Sequence, residues 1–529
     1  MGRAVLRQQN PDPRGGTPPV AATLPPERGG ALRVWGGFAL LMMLVSVPLF
    51  STALPPLFDY PNHLARMHLL GEGGNAFYAV RWGPLPNLAQ DLIVPPLARL
   101  MPLEIASNLF LVMIFGAIAG GTIWLNRVAT GVWRFWPLLA FLLLYNRIFL
   151  WGFVNYLFGI GIALGGTASW LALEGRGWGI RVLVSSLAAL ACYFSHIAAF
   201  GFYALVIFGI EATPAFAELR LGDWPALGRR TAIAGTQLVI PAALFLGSWQ
   251  DTARGPVSYA GFLRKADLLF GVFDNYNRAF DISCFVLFLG LIGWLTVTRR
   301  LRMTSRLGWA GGVIFAVYLL LPSQMYGGSA ADHRLPTALF LLLVASSAPR
   351  FPSRRAAVVI AVAAASVLVL RVALIELVWH RADRVYSADL AGIDMLPRDT
   401  RLAVAHPASA VNFVPIPEVH FAALAIARRE AFVPTLFALP AQQPVVLRPP
   451  YAALADAAQP ERLWAAFVGS DPSESGDPVA ALQQYDYIAF TDNRPVHVPP
   501  NRCLGPVFEQ ATFQIFAVVQ APSCTGREG

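Results

Sequence analysis

Charge is scarce in this chain of 529 residues: Asp, Glu, Lys and Arg make up 13% of it, against 56% hydrophobic residues. Soluble globular proteins carry about twice that charged share, so a water-soluble globule is excluded. Lysine is nearly absent, since Lys265 is the one lysine among forty basic residues, and the formal net charge of +9 is an arginine charge. Several motifs are missing as well. There is no Walker-type phosphate loop, no GxGxxG after a strand, no paired CxxC and no HExxH, so nucleotide hydrolysis and zinc peptidase chemistry lack support. No loop on the outer side offers a tight carboxylate cluster, and no obligatory divalent metal or other cofactor is expected.

What is abundant is apolar sequence in runs near the length of a bilayer crossing, about 20 residues for a roughly 30 Å hydrocarbon core. Eleven candidates stand out, at 34–52, 104–125, 135–150, 153–173, 182–195, 197–212, 231–248, 281–297, 307–321, 337–349 and 356–375, of which the short 135–150, 182–195 and 337–349 read as free spans or as tilted or half-broken helices supported by neighbours. Arginine orients them, because short loops rich in Lys and Arg stay on the cytoplasmic side. With the N-terminus inside, the cytoplasmic segments 1–33, 126–134, 174–181, 211–230, 298–306 and 350–355 hold nineteen basic residues, and the opposite loops hold nine. The basic excess is thus a topology signal and not a nucleic-acid signal. Residues 1–33, rich in proline, read as a disordered cytoplasmic tail, and 34–52 as a retained first span rather than a cleaved signal.

From Glu376 onward the character changes to short apolar runs broken by turn residues, with acidic side chains in excess. Thr400–Ala405, Tyr485–Thr491, Gly505–Phe508 and Phe513–Val519 read as strands, His420–Glu430 and Tyr451–Phe467 as helices. The expected fold class is therefore a polytopic α-helical membrane protein of about eleven transmembrane helices (34–375) with an extracytoplasmic α/β domain (376–529). Cys192 and Cys284 fall in spans. Cys503 and Cys524 bracket the last two strands, and a hairpin turning near Gln510–Thr512 would bring them together as a disulfide in an oxidising compartment.

The residues able to do chemistry cluster after the first span, in Pro55-Pro56-Leu57-Phe58-Asp59-Tyr60-Pro61-Asn62-His63-Leu64-Ala65-Arg66-Met67-His68. Proline near a first helical position and Gly71 beyond the last predict a helix over Pro61–Leu70, with Asp59 at its N-terminal mouth. His63 and Arg66, three apart, share a face; Leu64 and Met67 form an edge suited to a bilayer surface. Asp59 reads either as a general base or as a helix cap serving the macrodipole. Asp91 in the same outer loop is a further candidate substrate-binding residue, and Asp59 with His63 or Asp91 offers the one set that could hold a metal. In the glycine-rich run Tyr326-Gly327-Gly328-Ser329-Ala330-Ala331-Asp332-His333-Arg334, Arg334 is placed to hold a phosphate at the headgroup level, with His333 beside it, or else to snorkel to lipid. Arg147, in a polar, aromatic patch with Tyr145, Asn146, Trp151, Asn155 and Tyr156, reads as part of a sugar site or of an interface belt, and His196, near the outer end of a span, as a binding residue or an interhelical hydrogen-bond partner. Asp251, Asp267, Asp274 and Arg278 read as solvated or loop-forming.

An inside N-terminus, a first outer loop opening with Asp59 and a short helix, many further spans and an outer C-terminal domain together resemble the GT-C integral-membrane glycosyltransferases. Tyr485-Asp486-Tyr487-Ile488 and Phe513-Gln514-Ile515-Phe516-Ala517-Val518 are similar to the outer domains of bacterial members. The resemblance implies a bacterial inner membrane enzyme, a sugar donor on polyprenyl phosphate, a cell-envelope glycan, lipid or protein as acceptor, and an essential acid at Asp59. The sequence departs from many relatives in having Tyr60 where a second acid follows the first, and in lacking an Asp-x-Asp pair at 146–152. Metal-dependent and asparagine-directed transfer are accordingly not expected. A transporter or flippase of lipid-linked glycans is the alternative, although no repeat or charge-lined path through the spans supports it. A non-catalytic membrane scaffold is a third reading.

Overall fold

The computed structural model describes residues 28–248, 257–325, 330–411, 414–438, 442–469 and 480–521. Residues 1–27 of the expected tail, Tyr326–Ser329 of the glycine-rich loop, Asp251 and Cys524 lie outside the described residues.

Ten of the eleven apolar runs are helices. They are α1 (Arg28–Ser51), α4 (Leu103–Thr130), α6 (Val154–Ala172), α7 (Trp178–Ser195), α8 (Ile197–Leu221), α9 (Trp224–Ser248), α11 (Arg278–Val297), α12 (Ser305–Leu320), α13 (Ala331–Ser346) and α14 (Arg354–Asp394). Among the described residues, eight are long and apolar enough to cross a bilayer; α12 and α13, at 16 residues, rise only about 24 Å. The eleventh run is a correction. Residues 135–150 form a 3-10 segment over Trp136–Leu143 and a single turn, α5 (Arg147–Leu150). Asn146 stops the helix between them: its side-chain amide donates to the carbonyls of Leu143 and Leu144, and its oxygen accepts from the Phe149 amide. Backbone groups that a continuous helix would pair internally are thereby satisfied by one side chain.

Small residues let the spans approach closely, the usual device where lipid supplies no hydrophobic drive between helices. A Cβ on Gly161 would lie 2.5 Å from the Ala117 Cβ, and one on Gly209 would lie 2.4 Å from the Ala310 Cα, so α4/α6 and α8/α12 meet backbone to backbone. The arginine-rich loops gather on one face. There Glu211 accepts from Arg181, Arg230 and Arg306, Arg306 also reaches Glu174, and strands β2 (Leu301–Met303) and β3 (Ser347–Pro349) pair antiparallel. Loops distant in sequence but alike in charge pattern thus share a side, as one membrane face requires.

The opposite face carries α2 (Tyr60–Glu72), α3 (Ala89–Ala98), the amphipathic α10 (Phe262–Phe270) and the C-terminal domain. That domain holds a four-stranded sheet in the order β4 (Leu402–Ala405), β6 (Tyr487–Thr491), β8 (Phe513–Val518), β7 (Leu504–Glu509), parallel between β4 and β6 and antiparallel elsewhere. All four strands fall at the short apolar runs read as strands. The helices are shorter than their sequence runs: α15 spans Leu424–Arg429, and the 451–467 run splits into α16 (Tyr451–Ala457) and α17 (Pro460–Phe467), where Pro460 starts a new helix. Cys503 is disulfide-bonded, and its carbonyl accepts from the Val519 amide across the β7/β8 hairpin.

Two features tie this domain to the spans more closely than a boundary at 375/376 implies. Helix α14 runs unbroken for 41 residues, about 60 Å, twice a hydrocarbon core. A strand of the first outer loop, β1 (Tyr78–Val80), also pairs with β5 (Val445–Leu447) of the C-terminal domain.

Candidate active site

Helix α2 starts one residue earlier than predicted and ends at Gly73, whose φ of 81° suits a left-handed C-cap. It does not lie on a bilayer surface. Leu64 and Met67 are buried, as are Asn62, His63 and Arg66, because α3 and α4 cover one side and α15 the other. Asp59 sits at the N-cap position with φ −90° and ψ −2°, and its side chain makes no capping hydrogen bond. The carboxylate stands at the helix mouth without a capping bond and is left to other partners.

Those partners are organised by the turn Leu150–Phe153. Its carbonyls at Leu150 and Trp151 accept the amides of Phe58 and Asp59, and the Gly152 carbonyl lies 3.0 Å from His63 Nε2. Since a carbonyl only accepts, His63 carries its proton on Nε2, and its buried Nδ1 has no hydrogen-bond partner among the described residues. Gly152 has φ +93°, and a Cβ there would stand 2.7 Å from the Asp59 Cβ. Glycine is required twice over, for the backbone angle and for the close approach. Beside it Trp151 stacks on His333 at 5.1 Å, and Phe153 lies under the Arg334 guanidinium at 4.6 Å. Arg334 donates to the Ala330 carbonyl and Tyr156 donates to the Arg334 carbonyl, so both chain and side chain of this residue are held.

A residue the sequence did not single out completes the group. His420, from the C-terminal domain, brings Nε2 to 3.7 Å from Asp59 Oδ1, its ring wedged edge-on between Phe58 and Phe437, each 5.1 Å away. Burial pushes the His420 imidazole down to about 3, and His63 likewise to about 3 with Arg66 adding to the effect. Both are neutral at physiological pH. Burial raises the Asp59 carboxyl to about 7, against the opposing pull of Arg66 and Arg334. A carboxylate at that value can take a proton near neutrality, as a general base should.

The remaining candidates separate into the near and the occupied. Arg66 pairs with Asp91 at 2.8 Å, both buried, so this pair anchors α2 to α3 and places a guanidinium charge within electrostatic reach of Asp59. His196 accepts the Ala198 amide at Nδ1 and caps α8. Arg147 lies elsewhere in function: Asp274 at 2.6 Å and Asp267 at 3.2 Å engage its guanidinium, which fastens the α10/α11 connection to α5. Asp274, read from sequence as solvated, is buried in that pair. Lys265, the sole lysine, is buried against Asp332 at 3.1 Å and donates to the carbonyls of Tyr318 and Leu321, bracing the chain that leads into His333 and Arg334. Among the described residues no three His, Cys, Asp or Glu side chains gather as they would to hold a metal ion.

No protein-family model matches the sequence, and no curated protein matches it. The structure is similar to the crystal structure of ArnT from Cupriavidus metallidurans bound to undecaprenyl phosphate, with TM-score 0.52 and 13% identity over 93% of this chain and 99% of that one. At that identity the likeness establishes the fold, and it extends through the spans and the C-terminal domain alike. This chain has the fold of that ArnT structure.

Proposed function

We propose that this chain is a glycosyltransferase that moves a sugar from a polyprenyl-phosphate-linked donor to an acceptor hydroxyl on the extracytoplasmic side of a bacterial inner membrane, with inversion. The observation that carries the reading is Asp59: a carboxylate at a helix start that caps nothing, is raised by burial to about 7, and faces two guanidinium charges. In the reaction the acceptor oxygen attacks the anomeric carbon as Asp59 takes the hydroxyl proton. The bond from that carbon to the phosphate oxygen breaks, its electron pair leaves with the lipid phosphate, and Arg334 meets the developing charge. Neutral His420 stands beside the carboxylate without protonating it, and neutral His63 braces the Gly152 turn that approaches Asp59. Low-dielectric walls of Phe58, Trp151 and Phe437 strengthen both the base and the guanidinium.

The similar ArnT structure holds undecaprenyl phosphate, which supports a polyprenyl phosphate as the lipid part of the donor. The arginine bias of the loops supports an outward orientation of the Asp59 face. The test is incubation of the purified protein with a panel of polyprenyl-phosphate hexoses and pentoses, reading release of polyprenyl phosphate. Release from at least one donor, dependent on Asp59, is the expected result; release from none refutes the reading.

A further inference from the structure

A cavity of about 590 Å³, with apolar walls at Val385, Ala388 and Ile416, lies between the outer third of α14 and the C-terminal sheet, and the chemistry above uses none of it. Its walls carry Arg381, Arg384 and Asp389 from α14, Glu418 from the segment that leads to His420, and Gln510 and Thr512 from the β7/β8 turn. Asp389 and Glu418 are 1% and 3% exposed, yet Asp389 Oδ2 and Glu418 Oε2 have no hydrogen-bond partner among the described residues. Buried carboxyl oxygens left unmatched are costly and call for an explanation. Burial, reinforced by Asp389, pushes Glu418 up to about 8, so it can donate as well as accept.

The cavity is built rather than incidental. A Cβ on Gly392 would stand 2.4 Å from the Phe508 ring, so α14 and β7 are in closest contact just beyond it. Tyr386 donates to the Pro417 carbonyl at 2.7 Å and packs on Phe421, which fixes the 416–421 segment to α14. That segment has one end in each site: Glu418 lines the cavity, and His420, two residues on, touches Asp59. Two residues of chain span at most about 7 Å.

We propose that this cavity binds the saccharide portion of the acceptor, with Asp389, Glu418, Gln510 and Thr512 hydrogen-bonding its hydroxyls and Arg381 and Arg384 forking onto vicinal oxygens at the rim. The size favours a saccharide over a bare ion, since ligand pockets of about 300–1,000 Å³ hold whole small molecules. The lining favours it too: carboxyls, an amide, a hydroxyl and guanidiniums each bond hydroxyl groups, and unmatched oxygens are then satisfied on binding. The assignment rests on the transferase reading for the word acceptor, but not for the saccharide.

The test is saturation-transfer NMR on the full-length protein in detergent, with the methyl glycosides of glucose, galactose, mannose, N-acetylglucosamine and arabinose as probes. Transfer to the ring protons of at least one is expected in the wild type and in Asp59→Asn, with at least a tenfold loss of affinity in Glu418→Gln and in Ala511→Trp, which fills the cavity. The exposed Arg384→Glu, which threatens no core, should weaken binding as well. Absence of transfer from all five probes, or unchanged transfer in both Ala511→Trp and Arg384→Glu, overturns the assignment. Donor turnover measured beside it separates the two claims. Asp59-dependent turnover without saccharide transfer refutes the cavity alone, and saccharide transfer without any donor turnover leaves the binding site standing and refutes the acceptor role.

Discussion

The Asp59 carboxylate and the His420 imidazole, 361 positions apart in sequence, stand 3.7 Å from each other across the junction between the spans and the C-terminal domain. Neither is charged by the other in the ordinary way. His420 is held neutral by burial and Asp59 is raised to about 7, so the contact positions the base without forming a fixed ion pair.

That balance sets a pH profile. Asp59 must be ionised to accept a proton, so kcat/KM should be level above about pH 7.5 and fall as pH drops through about 7, approaching tenfold per unit. A profile still level at pH 5.5 would assign the base to another group.

The same carboxyl should cost stability. Its folded value of about 7 exceeds the ordinary 3.8, so the folded state binds the extra proton, and stability falls as pH rises from about 4 to about 7. At pH 8 Asp59→Asn, which removes the buried charge, should raise stability by on the order of a few kcal/mol while removing activity. Thermal unfolding of both proteins at pH 8 and pH 5 checks the sign: the gain should shrink at the lower pH.

Gly152→Ala should be harmful for local reasons. The added Cβ would meet the Asp59 Cβ at 2.7 Å in a backbone conformation with φ +93°, a strain of about 1–3 kcal/mol. A lowered Tm together with a loss of turnover at least tenfold is expected, and unchanged kinetics would show that the 150–153 turn does not position Asp59.

Arg66 and Asp91 should behave as a unit. Removing either leaves a buried charge unmatched, at about 3–5 kcal/mol, whereas Arg66→Met with Asp91→Leu should recover most of the stability. Activity should stay low in the double variant, because the guanidinium that opposes the rise of the Asp59 pKa is gone. Chemical denaturation of the two single variants and the double variant closes the cycle.

How far these relationships could be read in advance depended on their range. Apolar run length located ten helices, and short apolar runs bounded by turn residues located β4, β6, β7 and β8, because both signals are local. Residues 135–150 misled because apolar content does not reveal that Asn146 takes the carbonyls of Leu143 and Leu144. Asp59 was legible from its place before Pro61, yet its escape from capping required the backbone angles. Arg147 stood in a polar, aromatic patch that suits a sugar, but its partners Asp267 and Asp274 come from α10 and the segment after it, 120 and 127 residues away. His420 carried no signal, since it reads as the start of an ordinary helix in a domain whose docking on α2 only the tertiary structure gives.

The central claim is that Asp59 takes the acceptor proton, and the most direct measurement is transfer by Asp59→Asn compared with wild type, using purified, membrane-inserted protein and a polyprenyl-phosphate sugar that the wild type turns over. The account predicts at least a hundredfold lower kcat with undiminished expression and Tm. Wild-type transfer rates in that variant would contradict it.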